Sequence, residues 1–259
     1  MRPFQFSNGR ITRDAYKAMR LQLDPDDDEA ERAVRMAVEK QSEKEIAAAL
    51  RAQMNELIPT TATDFEVASA ASRVSQTSGG ARDALRRALA RGADLGVSAA
   101  VDQFENIGFG FDWTLANQHA ADWANAEAGK LITRIDSVTQ RRVQTAVNEW
   151  VTNGEPLSAL RRELTPTFGP QRAKTISTTE TTRAYAEGNK IAYRESGVVD
   201  KVEIRVSNDE LVCPICGPVS GKRVPLETGH PELGFPPFHV NCRCWIAPVV
   251  ETRAERERN

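Results

Sequence analysis

All four cysteines of the chain lie between positions 213 and 244, and nothing upstream of them contains another. They stand as Cys213-Pro-Ile-Cys216 and Cys242-Arg-Cys244, with His239 three residues ahead of Cys242. Four unrelated thiols scattered by chance do not cluster in this way. A redox Cys-x-x-Cys normally opens a helix in a βαβ setting, and no such pattern surrounds Cys213. Metal ligation is the favoured reading. A Cys-x-x-Cys turn aims two thiolates at one point. Cys242 and Cys244 are expected to alternate on a strand and so to share a face. With His239 this makes five candidate donors for an ion that takes four, and the spare is left open. His230, in a Gly-Pro loop, is the weakest candidate. Thiolate and imidazole donors favour Zn2+. A structural role is expected, because a thiolate-rich closed site leaves no position for a reactive water. A lobe of about fifty residues also gains little from its own core.

The rest of the chain reads as helix. It is rich in Ala, Arg and Glu, and aromatics make up only 6%. The expected fold is mainly α: an elongated helical body with a small C-terminal α+β lobe stapled by zinc. Formal net charge is -2, so there is no global basic footprint for nucleic acid. No apolar run approaches the roughly 20 residues that span a bilayer, and "MRPFQFSNGR" lacks a signal-peptide core. A soluble chain in a reducing cytoplasm is expected, where clustered cysteines are metal ligands more often than disulfides.

A short helix is expected over residues 14–23. Asp24 and Pro25 then suit the start of a long helix running to Leu57, and the acidic run Asp26–Glu29 reads as its solvated cap. "IPTTAT" (58–63) breaks it, residues 64–75 are expected to be helical, and "SQTSGG" (75–80) punctuates the chain. A long helix is expected over 81–104. After the Gly-aromatic loop "NIGFGFDW", Asp112 is a candidate cap for a helix presenting Trp113, Ala116, Ala120 and Trp123 on a buried face. Another helix would bury Leu131, Ile135, Val138, Val143, Val147, Trp150 and Val151, with Gly154 as its stop. "EPLSALRRELTPTFG" reads as a short helix and a loop, and a helix of about 27 residues follows from Pro170 to the stop at Gly197. "KVEIRVS" alternates as a strand should, and "GKRVPL" and "CRCWIAPVV" are further candidate strands. The domains expected are an N-terminal helical region (1–80), a helical body (81–168), a C-terminal domain with the metal lobe (169–250) and a charged tail (251–259).

The blocks "ISTTETTRAYAEGNKIAYRESGV", "SNDELVCPICGPVSGKRVPL" and "PPFHVNCRCWIAPV", in that order and spacing, closely resemble the C-terminal domain of phage Mu F-like minor head proteins, also called head morphogenesis proteins. The resemblance covers roughly residues 90–250; the first 80 residues carry none. Where the family ending has Pro after the histidine, this chain has Val240, which is not a ligand but loosens one turn. The resemblance implies a virion protein of a tailed phage or prophage. It would sit in the head interior or at the portal vertex, be present in few copies, meet portal and capsid proteins, touch packaged DNA weakly, and act in head assembly or DNA packaging and ejection.

Glu180 and Arg183 match the family's Thr-Glu block and sit at i, i+3, where they can pair. They are read as a polar brace between helix and metal lobe, with Asp209 or Arg205 as partner, because no nucleophile and base complete a catalytic site. Two competing functions are weighed. A zinc-dependent nuclease needs an open metal position and a general base, for which His239 or His230 would serve. A nucleic-acid-binding zinc module needs a basic surface. The lobe instead balances Lys201, Arg205, Lys222, Arg223 and Arg243 against Glu203, Asp209, Glu210, Glu227 and Glu232. No enzymatic activity is expected.

Overall fold

A computed structural model describes residues 28–106, 113–206 and 213–250. Seven α-helices, a three-stranded sheet and a short 3-10 turn at Gly217–Val219 make up the regular structure of these residues. The helices are α1 (Asp28–Leu57), α2 (Asp64–Ala68), α3 (Ala70–Thr77), α4 (Gly79–Asn106), α5 (Trp113–Asn153), α6 (Leu157–Phe168) and α7 (Pro170–Ser196). The strands are β1 (Lys201–Arg205), β2 (Arg223–Pro225) and β3 (Trp245–Val249). The expected helix over 14–23, the caps at Asp24, Pro25 and Asp112, the loop at 107–112, the brace candidate Asp209 and the tail 251–259 lie outside the described residues. No helix among the described residues is long and apolar enough to cross a membrane.

α7 is the central element. Its N-terminus is set by Pro170 and its C-terminus by Gly197, which takes the left-handed conformation at φ 66° and donates to the Arg194 carbonyl. Between them, buried positions run almost all round the helix, as in one packed on every side. α1, α4, α5, α6 and β3 all pack against it. The α4–α7 crossing is the closest. A Cβ on Gly92 would stand 2.7 Å from that of Ala184, and Cβ atoms on Gly96 and Gly188 would collide with the Tyr185 and Ala93 carbonyl oxygens. Glycine is required there because backbone meets backbone.

Several boundaries differ from expectation. Trp113 to Asn153 is one helix, not two. Ala116, Ala120, Ala124 and Ala128 carry the buried stripe directly into Leu131, Ile135, Val143 and Val147, with no breaker between. Trp113 and Val151, expected in the core, are 37% and 63% exposed at the two ends of that helix. Residues 64–77 form two short helices, with Thr63 and Glu66 closing a capping box on the first. Gly79 and Gly80 belong to α4 rather than to a break. The buried Ser78 accepts the Arg82 amide and donates to the Asp136 carboxylate on α5, and this anchor outweighs the poor helix propensity of glycine. The loop expected after α6 shrinks to Gly169, since the helix runs on through Pro166.

The sheet is antiparallel in the order β2-β1-β3, with Val202 opposite Val224 and Ile204 opposite Ile246. These four side chains are buried. The Ile246 carbonyl accepts the Tyr193 hydroxyl at 3.3 Å, tying the sheet to α7. β3 begins at Trp245, so Cys242 and Cys244 precede the strand instead of alternating along it.

Candidate metal centre

Two turns bring the donors together. In the first, the Cys216 and Gly217 amides both donate to the Cys213 carbonyl at 3.0 Å, and the Ile215 amide donates to the Cys213 sulfur at 3.2 Å. That thiol is thereby turned inward beside Cys216. In the second, the Cys242 amide donates to the His239 carbonyl, and Asn241 takes φ 63° between them. Asparagine is one of the few side chains that enters this region readily.

The donors form two overlapping groups, Cys213–Cys216–His239 and Cys216–Cys242–Cys244, and within each group all ligand atoms lie within 4.8 Å of one another. Cys216 is common to both. Cys216 thus links the two groups, and His230 is in neither. Cys216 Sγ stands 3.8 Å from Cys242 Sγ and 3.0 Å from His239 Nε2. Two sulfurs bound at 2.3 Å to a tetrahedral ion stand about 3.8 Å apart, so the Cys216–Cys242 spacing already suits one. His239 Nδ1 lies 2.7 Å from the Val240 carbonyl, which can only accept. The proton is thus on Nδ1, and Nε2 turns its lone pair toward the cysteines, the tautomer a metal ligand needs. Val240 supplies this carbonyl while its side chain is exposed.

The electrostatics fit a cation. All four cysteines are free thiols, and Cys216, Cys242 and Cys244 are buried. Cys242 is held down at about 5, chiefly because the Cys244 thiol donates to it. Burial pushes Cys216 up to about 12, and Cys244 is raised by its bond to Cys242 and by burial. Of these three thiols, Cys242 is the one that ionises most readily. A bound cation is what would let the others ionise. These residues can hold a metal ion.

Glu180 and Arg183 pair as expected, and the further brace candidate Asp209 lies outside the described residues. Glu180 bonds Arg183 on its own helix at 2.9 Å, and Arg205 bonds its strand neighbour Glu203 at 2.9 Å. The threonines around Glu180 and α1 hold the ligand loop. Thr182 donates to the Cys242 carbonyl at 2.7 Å, and Thr179 accepts the Asn241 amide at 3.0 Å. Arg243 grips Glu39, which also accepts the Thr178 hydroxyl at 2.5 Å. Arg35 donates to the Arg243 carbonyl at 3.1 Å and stacks over Trp245 and Tyr185. One signal for this was in the sequence: "STTETT" packs β-branched threonines into a helix that their propensity does not favour.

Residues 141–247 match the family model described as phage Mu protein F like protein. The matched stretch contains α7, β1, β2, the start of β3 and all five donors, and it supports assigning this part of the chain to that family. The family points to a phage head morphogenesis protein. No curated protein and no solved structure matches the chain.

Proposed function

We propose that the chain is a minor head protein of a tailed bacteriophage or prophage. It acts in head morphogenesis and in DNA packaging or ejection, within the virion beside the portal, and it has no catalytic role. The observation that carries this reading is the coincidence of the family match with the donor cluster and the helix that grips it. In this reading the ion is zinc and its work is structural. It closes the Cys213 turn on the His239–Cys244 loop, and that loop keeps the lobe seated on α7 and α1. The partners are portal and capsid proteins.

The test is complementation of a phage lacking this gene. Cys213→Ser should give particles that lack the protein, or heads that package or eject DNA poorly, while the major shell still assembles. Infectious and physical particles are counted side by side. Full infectivity from particles without the protein would refute the virion role.

A further inference from the structure

The C-terminal half of α5 and α6 enclose a groove of about 450 Å³ well away from the cysteines in sequence. Arg141, Arg142 and Thr145 line one wall, Glu163 the other, and Ala146 and Leu164 lie in its floor. Neither Arg141 nor Arg142 has an ion-pair partner among the described residues. Glu163 faces them across the groove without closing on either. The walls thus stay apart by enough to admit another group.

Arg172 adds to the positive charge at this end. Its guanidinium is spent on neutral acceptors, the Thr139 hydroxyl at 3.0 Å and the Thr167 and Ile135 carbonyls at 2.7 and 3.4 Å. Burial, and then the charge of Arg142, pull it down to about 10. The nearby Asp136 is already bonded to Ser78. Neither Glu163 nor Asp136 pairs with Arg141 or Arg142.

We infer that this groove is an anion site that takes a phosphate group. One arginine fork saturates the two oxygens of a carboxylate. A phosphate offers further acceptor oxygens, and adjacent guanidinium groups can share them. Glu163 opposite limits the charge the site tolerates, which favours a singly charged group such as a phosphodiester over a polyphosphate. The source is either a nucleic-acid strand or free phosphate. The inference does not depend on the head-protein reading.

The experiment uses the full chain and three probes: a labelled single-stranded DNA oligonucleotide followed by fluorescence anisotropy, inorganic phosphate followed by thermal shift, and phosphate as competitor of the oligonucleotide. The variants are Arg141→Gln/Arg142→Gln and, as control, Arg86→Gln, an exposed arginine paired with Asp83 on α4. Both arginines of the groove are exposed, so the double variant should melt like the parent. Oligonucleotide affinity should fall about tenfold in the double variant and stay unchanged in the control. The slope of log affinity against log salt should shrink by about 1.4, the value for two phosphate contacts on a single strand. That result, with weak competition by phosphate, identifies a strand as the source. A phosphate-induced thermal shift lost in the double variant, with no strand binding, identifies free phosphate. Equal binding by parent and double variant, no binding of either probe, or an equal loss in the control would overturn the site.

Discussion

Arg243, between two cysteines of the cluster, closes a two-point ion pair on Glu39 of α1, with Nη2 2.7 Å from Oε1 and Nε 3.1 Å from Oε2. The ligand loop is thereby fastened to a helix some two hundred residues earlier in the chain. Glu39→Ala should lower stability by about 3 kcal/mol, because it removes a two-point ion-pair partner from a partly buried guanidinium. Arg243→Ala should cost a similar amount, and the double variant little more than either. Denaturant titration of the three variants checks this; strictly additive losses would show that the two groups do not act together.

The α4–α7 crossing sets a second expectation. Gly188→Ala drives a methyl group into the Ala93 carbonyl, and overpacking of this kind costs about 1–3 kcal/mol or more. The same substitution at Gly129, on the exposed side of α5 with open space around it, should stabilise by up to about 1 kcal/mol through helix propensity. Opposite shifts in melting temperature are expected; equal shifts would mean that the crossing is not in backbone contact.

Much of this architecture was legible in local signals. Pro170 and Gly197 bound α7 because capping chemistry is local, and Val202 and Ile204 announce β1 by alternation. The clustering of Cys213, Cys216, His239, Cys242 and Cys244 marked the candidate site before any geometry. The errors fell where tertiary contacts overrule local preference. Gly79 joins a helix because Ser78 is anchored to Asp136. The joining of the two halves of α5 was missed because alanines carry a buried stripe as well as larger residues do. The hold of Glu39 and Thr182 on the ligand loop was out of reach, since these partners lie far apart in sequence.

Acid should weaken the fold through Glu45. Burial alone would raise this carboxyl, but bonds from Arg91, Gln41 and Arg87 outweigh it and hold it at about 2, against an ordinary 4.5. A depressed carboxyl stabilises above its unfolded value, so this contribution is complete above about pH 4.5 and is lost as pH falls toward 2. Glu45→Gln should therefore be less stable than the parent at pH 7, with the gap closing across that window. A gap independent of pH would contradict the assignment.

Glu180 should show the reverse sign. Burial raises its carboxyl, and Arg183 offsets this only in part. A raised carboxyl favours the fold while protonated, below pH 4.5, and that benefit disappears as pH climbs through the raised value. Glu180→Gln should then gain on the parent as pH goes from 4 to 8, whereas Glu180→Ala should lose stability by emptying a buried position. Unfolding free energies measured along that pH series decide it; a glutamine variant that falls steadily behind the parent as pH rises would rule it out.

Chelation should release the lobe before the body. Val199, Val202, Ile204, Val219, Val224, Leu226 and Ile246 of the lobe join the edge of a core that the helices mostly supply, so the body keeps most of its buried surface without the lobe. Hydrogen exchange with and without a chelator should show lost protection over residues 198–250 and retained protection in α4 and α7. Uniform loss across the chain would mean that lobe and body unfold as one unit.

Native mass spectrometry of the purified full chain tests the metal centre most directly, since a single spectrum reports both bound ion and thiol state. The expected mass is that of the chain plus one zinc ion, shed on acidification as the cysteines take up protons. A metal-free chain two hydrogens lighter than the fully reduced one, with a disulfide joining Cys213 to Cys216, would contradict it.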